Sequence, residues 1–77
     1  MVLPDHPLIS VDPEICGGKA CLAGSRMRVV DILEMLAEDA DRDTIVEDFP
    51  YVTHDHIRAC LAYAADVLAH PVAMAAE

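Results

Sequence analysis

The chain has 77 residues, 14 Asp+Glu against 5 Lys+Arg, a formal net charge of −9, and a composition that is 55% hydrophobic with no Trp. At this length the sequence encodes one domain, because so short a chain hides only ~60% of its unfolded surface, which excludes a two-lobed catalytic cleft. The apolar content is too high for a chain that never forms a core. Acids interrupt the apolar runs before any reaches the ~20 residues that cross a bilayer, so no membrane association is expected.

Residues 1–7 carry Pro4 and Pro7 and read as a flexible, extended N-terminal arm. Leu8-Ile9-Ser10-Val11 is a strand candidate closed by Asp12-Pro13, with further short strands expected at Lys19–Leu22 and Met27–Val29. Gly17-Gly18 and Ala23-Gly24-Ser25 mark the turns between them. Residues 8–29 therefore predict a short β-hairpin arm preceding a helical part at 30–71.

The first helix begins near Val29. In VVDILEMLAE only Asp31, Glu34 and Glu38 are polar, and their spacing places them on one narrow stripe. The rest of that helix is apolar, a wider face than three helices can cover, and this predicts a partner or a second copy. Asp39-Ala40-Asp41-Arg42-Asp43 forms a polar connector able to cap the next helix, where Ile45, Val46 and Phe49 make a one-turn apolar face. Pro50 stops that helix. Thr53 supplies a cap for a third, His54 to about His70, rich in alanine and carrying Ile57, Cys60, Leu61, Val67 and Leu68 as bulk. Pro71 ends it, and residues 72–77 read as a frayed tail.

The charge is segregated. Residues 1–28 hold three acids and three bases, whereas residues 29–77 hold eleven acids and two bases. Such a surface repels phosphate backbones and suits a basic protein partner.

Two helices joined by Phe49-Pro50-Tyr51-Val52-Thr53 make a helix-turn-helix pattern. A DNA-reading version would need cations at the start of its second helix. The candidate nucleic-acid face is Lys19, Arg26, Arg28, His54, His56 and Arg58. The candidate partner face is Val30, Leu33, Leu36, Leu61, Tyr63, Ala64 and Leu68.

Catalytic patterns are lacking. Cys16 and Cys21 with His54 and His56 offer zinc-ligand types, but not at knuckle spacing, so no metal or cofactor is expected. Three cysteines without a C-x-x-C pair fit free thiols of a cytoplasmic protein, and the MVLPDHPL start has no signal-peptide pattern. Gly17-Gly18-Lys19 is not a P-loop, and Ser10 and Ser25 have no triad order to join.

Three blocks carry a family resemblance. They are Ile9-Ser10-Val11-Asp12-Pro13-Glu14-Ile15-Cys16-Gly17-Gly18-Lys19, then Gly24-Ser25-Arg26-Met27-Arg28-Val29, then Phe49-Pro50-Tyr51-Val52-Thr53 followed by Ile57 and by Leu61-Ala62-Tyr63-Ala64. In this order they resemble domain-of-unknown-function family 433, a group similar to VapB-type antitoxins. Ala20, Ala23, Ser25 and Arg28 depart from its usual pattern, and Ala23 removes a cation from the arm. The resemblance implies a mainly α fold: a three-helix, homeodomain-like helix-turn-helix bundle preceded by a β-arm, usually a homodimer. It also implies a non-enzymatic antitoxin that binds a PIN-like ribonuclease toxin and, in some members, operator DNA. The alternative is a dimeric helix-turn-helix DNA-binding regulator without a toxin partner.

Overall fold

The computed structural model describes residues 1–69. Three helices pack on a small antiparallel sheet whose strands are β1 (Val2–Leu3), β2 (His6–Ser10) and β3 (Cys21–Leu22), in that spatial order. The helices are α1 (Val29–Ala37), α2 (Arg42–Asp48) and α3 (His54–Ala69).

The sheet differs from the expected arm in three ways. Val2–Leu3 pairs with β2, Val2 opposite Ser10 and Leu3 opposite His6, so residues 1–7 hold an edge strand of the sheet. Pro4 and Asp5 occupy the reversal between the two strands, and Pro7 sits within β2. Pro4 lies in the turn, and Pro7, though in the central strand, falls at the register shift of the β1 pairing and outside the stretch that β3 pairs, so both prolines are tolerated. The expected strand at Met27–Val29 is reduced to a single bridge from Arg28 to Cys21, because Val29 has already entered α1. The Lys19–Leu22 strand shrinks to Cys21–Leu22, paired with Ser10 and Ile9.

Nor is the sheet an appendage. Ile9 and Leu22 are buried in one cluster with Val29 and Ile32 of α1, Ile45 of α2, Val52, and Ile57 and Cys60 of α3. A chain this small has too little apolar surface for two cores, so sheet and helices share one.

Each helix has a local cause. The Val29 amide donates to the Ala20 carbonyl at 2.9 Å, fixing the start of α1 against the segment before β3. Asp39, with φ 68°, lies just beyond the end of α1, and the Ala40 amide returns to the Met35 carbonyl at 2.9 Å, closing the free end of the helix. Helix α2 ends at Asp48, with Phe49 as its C-cap and Pro50 next in the chain. At the start of α3 the His56 amide donates to Thr53 Oγ1 at 3.2 Å, while the Thr53 amide donates to His56 Nδ1 at 3.0 Å. Histidine here takes the part usually played by Glu in a reciprocal cap.

The acidic stripe of α1 lies as its spacing predicts. Asp31, Glu34 and Glu38 line one shallow depression with Met27, Met35 and Phe49. The expected excess of apolar surface on α1 is smaller than the sequence suggests, because Leu33, Met35 and Leu36 pack against the core. Most of the surplus lies on α3, where Val67 is 52% and Leu68 80% exposed. The expected end of α3 at His70–Pro71 and the tail at 72–77 lie outside the described residues. No helix among the described residues is long and apolar enough to cross a membrane.

Candidate interaction surface

Helices α1 and α3 meet at an apolar groove of about 410 Å³. One wall is Val29, Val30 and Leu33, the other Tyr63, Ala64, Val67 and Leu68, and Lys19 and Ala20 form the lip. The helical repeat produces both walls. Val30 and Leu33 are three apart on α1, and Tyr63, Ala64, Val67 and Leu68 follow the i, i+1, i+4, i+5 pattern of one helix face. Ala64 opens the groove, since its methyl group leaves room that a larger side chain would fill.

Five of the seven residues expected to meet a partner line this groove: Val30, Leu33, Tyr63, Ala64 and Leu68. The other two do not. Leu36 packs against the core, and Leu61, 37% exposed, lies outside the groove. Val67, Val29 and the Lys19-Ala20 lip were missed. The i+4 step from Tyr63 to Val67 could have found the first, whereas the lip is a tertiary product of the Ala20–Val29 hydrogen bond.

Of the six candidate nucleic-acid residues, four already have partners. Arg28 grips Asp31 with two bonds, Nη2 to Oδ1 at 2.7 Å and Nε to Oδ2 at 3.1 Å. The hydrogen bonds from Arg28 hold the Asp31 carboxyl below the usual carboxylate range, and the same bonds raise the guanidinium. Arg58 lies 3.2 Å from Asp55 one turn back, and His54 Nε2 lies 3.0 Å from Asp43 of α2. His56 is occupied by the Thr53 cap. Lys19 and Arg26 have no ion-pair partner among the described residues. They share a separate cleft of about 280 Å³ with Ser10, Asp12 and Ser25.

His54 and His56 also stand apart from the cysteines as ligands. Among the described residues, no three His, Cys, Asp or Glu side chains gather as a metal site would require.

A family profile described as a protein of unknown function, DUF433, matches residues 9–64. The chain belongs to this family. A crystal structure of a DUF433 member from Anabaena variabilis ATCC 29413 superposes with a TM-score of 0.76 at 21% identity, over 80% of this chain and 61% of that one. At that identity the likeness is one of fold, and this chain spans 61% of the other protein's length. A comparison with curated proteins found no match. The DUF433 block ends at Ala64, so Val67 and Leu68, the most exposed part of the groove, lie beyond it.

Proposed function

We propose that this chain is a non-enzymatic, antitoxin-like module. Its α1–α3 groove receives an apolar element of a basic protein partner, taken to be a PIN-like ribonuclease toxin. The groove itself carries the proposal: Val30, Val67 and Leu68 leave apolar surface exposed on a domain whose helical part is strongly acidic. Apolar burial supplies the affinity, and the acids speed encounter with a cationic surface. A ribonuclease binds its substrate through a basic rim, and an acidic domain seated on that rim would exclude RNA. Repression of its own operon would be a second activity of the same complex.

The α2–turn–α3 unit, with its connection at 49–53, supports a homeodomain-like helix-turn-helix as the finer description of the fold. The alternative function, a dimeric DNA-binding regulator, has weaker support. Arg28, His54 and Arg58 already face carboxylates, so phosphate contacts would require breaking internal pairs. Its best remaining feature is the Lys19–Arg26 cleft.

Co-expression with the product of the neighbouring open reading frame tests the proposal. A stable complex by size exclusion with light scattering, and rescue of growth, are the expected results. Formation of a homodimer through the same groove, with no heterocomplex, would favour self-association instead, and absence of both would overturn the proposal.

A further inference from the structure

We infer that Cys16 and Cys21 form a reversible redox pair, a site of internal disulfide formation on the loop that builds the groove's lip. The two cysteines bracket Lys19. The Lys19 amide donates to the Cys16 carbonyl at 3.2 Å, and the Cys21 thiol donates to the Lys19 carbonyl at 3.5 Å. The Cys16 thiol is held from the other side by the Arg26 carbonyl at 3.3 Å. Cys21 bridges Arg28, two residues beyond the Arg26 carbonyl that holds the Cys16 thiol, so both cysteines pack against the same 26–28 segment.

Backbone geometry singles out the same residue. Cys16 has φ 54° and is followed by Gly17 and Gly18 at 64° and 83°, a left-handed stretch in which glycine would be the unstrained choice. The chain places a thiol there instead, on the loop that leads to Cys21. Strain of this kind marks positions where a particular side chain is needed.

The two thiols differ in exposure, which gives each a distinct part. Cys16 is half-buried and accessible to a small oxidant, whereas Cys21 is 3% exposed. Burial, reinforced by Cys16, pushes the Cys21 thiol up to about 11. With a low-molecular-weight disulfide such as oxidised glutathione, the Cys16 thiolate attacks one sulfur and releases one glutathione thiol. Cys21 then gives its proton to solvent, and its thiolate attacks Cys16 Sγ and expels the second glutathione. The protein loses two hydrogens and two electrons, and the oxidant is reduced to two thiols. The product ring encloses Gly17, Gly18, Lys19 and Ala20, of which Lys19 and Ala20 line the groove. Cys60 stands apart: it is fully buried in the core, and burial alone pushes its thiol up to about 11.

The full chain incubated with oxidised glutathione, then alkylated and digested with trypsin, tests this inference. Trypsin cuts after Lys19, so the internal bond appears as two peptides joined through Cys16 and Cys21 and separated by dithiothreitol. Its formation should quicken about tenfold per pH unit through the neutral range, as the Cys21 thiolate becomes more abundant. The Cys21→Ser variant should stop at glutathionylated Cys16, with circular dichroism confirming its fold. Wild-type protein that accumulates only the mixed disulfide, stays reduced, or cross-links through Cys60 would overturn it. The wild-type result decides the matter even if the variant fails to fold, and it is independent of whether any toxin binds.

Discussion

His6 Nε2 lies 2.8 Å from Asp66 Oδ2, joining the second strand to the far end of the last helix across sixty residues of sequence. The His6 ring also meets Tyr63 edge-on, with centroids 5.3 Å apart. Tyr63 is a groove residue, so His6, which the sequence alone places in the flexible arm, supports a wall of the groove. Replacing His6 with Ala should remove one partly buried hydrogen bond and one aromatic contact. The expected cost is about 1–2 kcal/mol. Thermal melts of His6→Ala, Asp66→Asn and the double variant should show non-additive losses, since the two side chains share one interaction.

The Thr53–His56 cap is the clearest local determinant of α3. Thr53→Ala removes the hydroxyl that accepts the His56 amide and should cost about 1 kcal/mol in chemical denaturation, whereas Thr53→Ser should retain most of it. Equal stability of the two variants would mean that the cap contributes nothing.

The cap was legible because threonine follows Pro50 at the right distance before an apolar helix. Other features were legible for similar local reasons: the start of α1 at Val29, the stop at Pro50, the burial of Ile57 and Cys60, and the acidic stripe. What the sequence concealed was mostly tertiary. Val2–Leu3 becomes a strand only because β2 lies beside it, and no periodicity fits into two residues. Leu36 was assigned to the partner face, since an apolar residue on an apolar helix does not declare which side the core occupies. The candidate bases present an intermediate case. The i, i+3 spacings of Arg28 with Asp31 and Asp55 with Arg58 announce ion pairs, but the pairing of His54 with Asp43 depends on how α2 and α3 meet.

Asp31 gives the domain an acid-sensitive contact. Its pKa in the folded state lies below the ordinary value of 3.8, so the Arg28 pair stabilises fully above that value. That contribution disappears as pH falls through the lower folded value, when the carboxyl takes up a proton. The melting temperature of the wild type should therefore fall more steeply than that of Asp31→Asn between about pH 4 and pH 2. Parallel curves would show that the pair does not contribute to the acid limb.

Gly24 has φ 80° and no atom within 4 Å of the place a Cβ would occupy. Gly24→Ala should therefore destabilise through backbone strain alone, by about 1 kcal/mol, without any clash. Unchanged stability in urea would contradict a left-handed conformation at this turn.

The proposed role depends on the groove between α1 and α3 as the surface a partner covers. The most direct measurement is co-purification of the neighbouring gene product with wild-type chain and with the Val30→Asp/Leu68→Asp double variant. Both substitutions fall at exposed groove positions, so the variant should keep its helical circular dichroism. Wild-type protein should retain the partner in a defined complex, and the double variant, folded, should release it. A folded double variant that holds the partner as tightly as wild type would rule out the groove as the docking surface.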